Sequence, residues 1–249
     1  MQASNKSQQH PTVVGDFSSR TLIDEYRPWN ETSPKFVRTS RAIHHLLPQA
    51  KFVVLMRDPV DRLYSDYLYF STLYYKYRPM IRKNISAEHF HFKVVEFVDW
   101  WKACLQNNEI QVCLHGSPLT EPPLSIFHQT CWQSELPCAS PRIGLYIYFL
   151  KEFLEVFPRE SFLYIRTEDY KNNEADVINT KILPFLNLPP FSSEAVVSIR
   201  NKTRSLAPNY SVKDKASFRQ MLPETRKVLN EFYKTSNKEL AQFLQDDRF

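Results

Sequence analysis

Two periods of apolar residues run along the chain. Lys51-Phe-Val-Val-Leu-Met-Arg57 is an unbroken apolar run with a basic residue at each end. It predicts a strand buried on both faces, as in a parallel sheet. Asp58-Pro59 follows at once, an N-cap and then proline at the first helical position. A helix is predicted from Val60 to about Tyr75, with Leu63, Tyr67 and Phe70 facing inward. Phe162-Leu-Tyr-Ile165 predicts a second short strand, followed by a polar turn, Arg166-Thr-Glu-Asp169.

Helical spacing fills most of the rest. Ser33-Pro34 reads as a helix start, with Phe36, Val37, Ile43, Leu46 and Leu47 on one face and Pro48 as the stop. Ser86 caps a helix carrying Phe90, Val94, Phe97, Val98 and Trp101. Tyr146, Phe149, Leu150, Phe153 and Phe157 mark an amphipathic helix after Ile143. Glu174 to Phe185 reads as another. Pro223 opens one to about Tyr233, and Ser236-Asn-Lys-Glu239 is a capping box opening a separate terminal helix. Strands alternate with helices, so the class is α/β with a mainly parallel central sheet.

The lead-in, residues 1–12, is polar, and Val13-Val14-Gly15-Asp16 suits a short strand and turn. One domain is expected over residues 13–249. Residues 104–142 lack a sustained period and hold every cysteine, so they read as a disulfide-pinned insertion or long loop. Residues 198–219 are basic and irregular.

Composition narrows the class. The chain has 249 residues, 43% of them hydrophobic, which excludes a disordered chain. No apolar run is long enough to span a bilayer. Only three glycines occur, Gly15, Gly116 and Gly144, far apart. A complete Walker-type loop or dinucleotide fingerprint is therefore excluded within these residues. The net charge of +5 suits an acidic partner, but no nucleic-acid motif accompanies it.

The four cysteines, Cys104, Cys113, Cys131 and Cys138, allow three pairings, which the sequence leaves open. No Cys-x2-Cys pair is present, so disulfides are expected rather than a metal. His44-His45 and His89-x-His91 also lack the company of a metal site, and the second pair points to different helix faces. Glycosylation sequons stand at Asn5, Asn30, Asn84, Asn201 and Asn209. Clustered cysteines and sequons together point to a secretory-pathway lumen.

The chemistry concentrates where the first strand meets its helix. Ligands of open α/β sheets bind beyond the carboxyl ends of strands. A helix N-terminus adds free N–H groups, and Arg57 can fork onto phosphate oxygens. Ser65 lies two turns into the helix. The segment reads as an anion site, best suited to phosphate. It equally fits a salt-bridged Arg57-Asp58 turn with Ser65 as a small helix-contact residue.

Arg57-Asp-Pro59, then Arg62, then Ser65-Asp-Tyr67, resembles the second nucleotide-binding motif of sulfotransferases that use 3′-phosphoadenosine 5′-phosphosulfate (PAPS). Gly144-Leu-Tyr146 through Phe157-Pro158 is similar to that family's Gly-x-Tyr helix, and Phe162 to Tyr170 to its following strand. Leu183 to Pro189, Met221 to Arg226, Phe232-Tyr233 and Asn237 to Leu240 resemble the carbohydrate branch. The resemblance implies a three-layer αβα sulfotransferase fold. It implies that Arg57 and Ser65 grip the donor's 3′-phosphate, with Asp58, Pro59, Arg62 and Tyr67 as scaffold. A basic loop over the donor is implied among Arg200, Lys202, Arg204, Lys213 and Lys215, with Lys213 and Lys215 the candidates.

The implied reaction transfers a sulfuryl group from PAPS to a glycosaminoglycan hydroxyl. The acceptor would be chondroitin or dermatan sulfate, at the 6-hydroxyl of N-acetylgalactosamine 4-sulfate. No metal and no nucleic acid take part, and a Golgi lumen with a membrane anchor in the parent protein is expected. The family's Lys-x-Gly-x-Thr-Thr loop and general base have no counterpart here, so the segment is expected to match the later two-thirds of a catalytic domain, without the first strand. Asp16 and Ser18 fall near the family's acceptor-facing turn, but no catalytic residue is assigned. The alternative is a sulfotransferase-like chain that binds nucleotide or acidic glycan without turnover.

Overall fold

The computed structural model describes residues 14–15, 38–77, 86–115, 140–192, 194–198 and 220–249, with side chains of the 59–77 helix described as far as Tyr69. In chain order these give α1 (Thr39–Leu46), β1 (Phe52–Met56), α2 (Pro59–Tyr77), α3 (Ala87–Asn107) and α4 (Ile110–His115). A 3-10 turn over Pro141–Gly144 leads into α5 (Tyr146–Leu154), then β2 (Phe162–Arg166), α6 (Thr167–Asn172), a helical segment over 174–185, and α7 (Pro223–Leu244).

β1 and β2 pair in parallel, Phe52 opposite Phe162 through Met56 opposite Arg166. The class is α/β, as the alternation of elements predicts. Phe52, Val54 and Met56 share one face, because strand side chains alternate. That face packs on Tyr146, Ile147 and Leu150 of α5 and Leu240 of α7 at one end, and at the other on Phe153 of α5, Phe157 just beyond it and Phe162 of β2. The expectation of burial on both faces is corrected. Leu55, on the opposite face, is 45% exposed.

α5 organises the interior. Tyr146, Ile147, Phe149, Leu150, Glu152 and Phe153 are all buried, so the helix is covered on more sides than the single stripe expected. Its residues enter all three apolar clusters. The largest cluster joins α2, α3, α4 and α7 through Leu63, Tyr67, Phe90, Val94, Phe97, Trp101, Leu229 and Tyr233.

Other local readings need amendment. Of the described residues of the first helical stripe, Leu46 and Leu47 are exposed and Ile43 packs against the core beside Phe157 and Phe162. The Ser33-Pro34 start and Phe70's side chain lie outside the described residues. The first part of 104–142 is helical rather than loop. Cys104 prolongs the buried stripe of α3, and α4 folds back so that Cys113 bonds to it. Arg166 to Asp169 is not a free turn. It starts α6, whose first turn carries Glu168 and Asp169 at the favourable end of the dipole. The 174–185 segment is helical throughout, with a π turn over Ile178–Ile182.

The C-terminal pair of helices is one helix. α7 runs from Pro223 to Leu244 and closes on Gln245 in the left-handed region. Ser236 does not cap. Its buried hydroxyl donates to the Tyr233 carbonyl at 2.9 Å, and Glu239 pairs instead with Lys151. With no Gly or Pro after Pro223, nothing interrupts the helix.

Candidate functional site

The strand–helix junction after β1 forms as the sequence dictates. Asp58 caps α2: its carboxylate accepts from the Asp61 N–H at 2.8 Å, and its carbonyl from the Arg62 N–H at 2.8 Å. Pro59 brings no N–H. Val60 therefore holds the one first-turn amide left without a partner among the described residues. The expectation of several free helix N–H groups is corrected, because the cap consumes them. Asp61 is offset by Arg226 of α7 at 2.6 Å, which joins the starts of the two helices.

Charge for an anion then rests on side chains. Arg57 is half-buried, and no hydrogen bond or ion pair engages its guanidinium among the described residues. Ser65 is half-buried too, and its hydroxyl has no partner among them. It stands on the same side of α2 as the Asp58 cap, roughly two helical turns further on. The two groups do not bond to each other, so both are open to a third.

Beneath Arg57 lies a buried polar cluster. The Arg62 guanidinium donates to Asp66 at 2.5 Å and to the Ser140 carbonyl at 2.9 Å, while its Nε is buried without a partner among the described residues. Burial works against this charge, but Tyr146, Tyr233 and Asp66 hold it above the ordinary arginine value. Burial pushes the Asp66 carboxyl up, against the pull of Arg62 and, further off, Arg57. Burial likewise pushes the phenols of Tyr146 and Tyr233 up, so both stay neutral hydrogen-bond donors. Tyr146 donates to the backbone carbonyl of Arg57 at 3.1 Å, and Tyr233 to that of Pro141 at 2.7 Å.

Gly144 explains how the 141–144 turn comes so close. A β-carbon there would stand 2.7 Å from Pro59 Cβ and 2.8 Å from Tyr233 Cε1. The Gly144-x-Tyr146 pair thus grips the junction at two points, Pro59 and Arg57. The motif marks Arg62 as scaffold but assigns no site-shaping role to Tyr146, Tyr233 or Asp66. The available signal was a cluster of tyrosines around a short turn containing one of the few glycines.

Of the other candidates, Lys213, Lys215, Cys131, Cys138 and the sequons at Asn5, Asn30, Asn84, Asn201 and Asn209 lie outside the described residues. Cys104 and Cys113 form a disulfide. Among the described residues no group of three or more His, Cys, Asp or Glu is placed to hold a metal ion. His89 sits 3.3 Å from the Tyr67 hydroxyl, and His91 bonds Thr225 of α7 at 2.8 Å, each on its own face of α3. No described helix is long and apolar enough to cross a membrane.

Known proteins resemble this chain in sequence. The family described as "Sulfotransferase domain" matches residues 20–235. Carbohydrate sulfotransferase 15 of Mus musculus is 32% identical over 99% of this chain and 40% of its own length. The Homo sapiens protein of that name is 31% identical over the same shares. That of Nototodarus sloanii is 27% identical over 64% of this chain and 89% of its own length. A crystal structure of a sulfotransferase from Alicyclobacillus acidocaldarius overlays with a TM-score of 0.49 at 19% identity, covering 84% of this chain and 60% of that one. The chain thus spans about 40% of the length of the mammalian relatives it matches. With a domain match across most of its residues and Arg57, Ser65 and Tyr67 set at one strand–helix junction, the chain belongs to the sulfotransferase family.

Proposed function

We propose that this chain cradles the 3′-phosphate of PAPS and serves sulfuryl transfer to a glycosaminoglycan hydroxyl. The observation that carries the reading is the pair of open groups at the junction. Arg57 and Ser65 flank the first turns of α2, and neither is taken by a protein partner among the described residues. A guanidinium supplies a bidentate charge-assisted fork, and a hydroxyl and one amide add donors. The Asp58 cap and the Asp61–Arg226 pair tie up the nearby carboxylates, so they repel an incoming phosphate less. The donor brings the sulfuryl group itself. The chain's part is to hold the phosphate and exclude water from its base.

The names of the curated relatives support a carbohydrate acceptor. Their name is carbohydrate sulfotransferase 15, and we assign this chain the same chemical class. The acceptor is a sulfated glycosaminoglycan, with N-acetylgalactosamine 4-sulfate the preferred sugar and its 6-hydroxyl the position. Lys213 and Lys215 extend the donor site, and the net charge of +5 favours an anionic polymer. The setting is the Golgi lumen. A buried disulfide suits that oxidising compartment, and the Asn sequons are then glycan acceptors.

The test is transfer of radiolabelled sulfate from PAPS to chondroitin 4-sulfate by the purified chain, beside Arg57→Ala and Ser65→Ala. Transfer that falls at least tenfold in Arg57→Ala supports the reading. Nucleotide binding with no transfer to any glycan overturns the enzymatic part and leaves a binding protein.

A further inference from the structure

Resting on the donor-site reading above, we propose that Tyr146 is a positioning residue for Arg57, aiming the guanidinium through its own backbone. Arg57 is the first residue beyond the ladder, after Met56 pairs with Arg166. The chain there must turn from strand to helix within Asp58 and Pro59. The orientation of the Arg57 side chain depends on the dihedrals of this single step. The Tyr146 hydroxyl bonds the Arg57 carbonyl at 3.1 Å and so fixes them.

The anchor is itself rigid. Tyr146 is 7% exposed and packs with Met56, Ile147, Leu150 and Leu240. A buried phenol needs a partner, and its only acceptor in the hydrogen-bond pattern of the described residues is that carbonyl. Two residues earlier, Gly144 meets Pro59 closely enough to leave no space for a β-carbon. Positions 144 and 146 therefore dock on 59 and 57 in antiparallel fashion. Arg57 is held on both sides of its carbonyl, while its guanidinium remains unengaged by the described residues.

A residue acting this way changes phosphate preference rather than nucleotide binding in general. The measurement is the ratio of affinities for adenosine 3′,5′-bisphosphate and adenosine 5′-monophosphate, in the native chain and in three variants. Arg57→Ala abolishes the preference. Tyr146→Phe keeps the ring and lowers the preference about fivefold, the worth of one lost hydrogen bond. Ser236→Ala loses a buried bond on α7, outside the polar cluster, and leaves the preference unchanged. An unchanged ratio in Tyr146→Phe, or an equal drop in Ser236→Ala, overturns the proposal while Arg57→Ala keeps its effect. An unchanged ratio in Arg57→Ala overturns the donor-site reading and this proposal together. Should Tyr146→Phe not fold, the Arg57 carbonyl-carbon shift in the native chain decides. A shift that moves when the Tyr146 hydroxyl is deuterated supports the link, and one that does not move overturns it.

Discussion

Gly144 and Pro59 meet so closely that a β-carbon on the glycine would lie 2.7 Å from the proline Cβ. Behind that position stands the Tyr233 ring, at 2.8 Å. Neither neighbour is a flexible chain end, so neither yields cheaply. Gly144→Ala is expected to cost about 2 to 3 kcal/mol by overpacking. Urea denaturation checks this, and a variant as stable as the parent would show that the turn can retreat from α2.

His115 and Glu152 form a second buried link, 2.6 Å apart, with the glutamate side chain 7% exposed. It fastens the end of α4 to the middle of α5. Removing the imidazole strands a carboxylate in the core, so His115→Ala should cost about 3 kcal/mol. The double variant His115→Leu with Glu152→Leu should recover part of that loss. A double-mutant cycle with no coupling would show that the pair contributes packing alone.

Tyr164 points the other way. Its hydroxyl is buried with no hydrogen-bond partner among the described residues. Burial pushes its phenol up to about 12. A folded value above the unfolded one, about 10, means a contribution fully present below pH ~10. It is lost as pH rises through the folded value. Tyr164→Phe should match or exceed the parent by about 1 kcal/mol at neutral pH. It should also lose stability less steeply between pH ~10 and ~12. A variant clearly weaker at neutral pH would mean that the hydroxyl is bonded after all.

The disulfide joins Cys104 near the end of α3 to Cys113 in α4, closing a short loop. Replacing both cysteines with alanine should cost about 2 to 3 kcal/mol. Peptide mapping without reduction should return a fragment linking these two residues. Any second bridge then has only Cys131 and Cys138 to use. A 104–131 or 104–138 link would contradict the α3–α4 packing.

The features readable in the sequence were local. Asp58-Pro59 and Ser86 announce helix starts because a cap bonds within its own turn, as Ser86 does with the His89 amide at 3.1 Å. The apolar run of β1 and the stripe of α3 declare themselves by period. What the sequence hid depends on distant partners. Ser236 carries the chemistry of a cap, but burial turns its hydroxyl inward and α7 runs on. Leu55 reads as core but is 45% exposed. The Tyr146–Arg57 bond joins positions 89 apart, and no local pattern signals it. The motif marks Arg57 and Ser65 as candidates, whereas the bond that anchors the Arg57 carbonyl comes from an element distant in sequence.

The central claim is that Arg57 binds the donor's 3′-phosphate. Calorimetric titration of the purified chain with adenosine 3′,5′-bisphosphate, beside Arg57→Ala, tests it most directly. The native chain should bind saturably, and the variant at least tenfold more weakly, about 1.4 kcal/mol or more. Equal affinity in both proteins, with both shown to be folded, would contradict it.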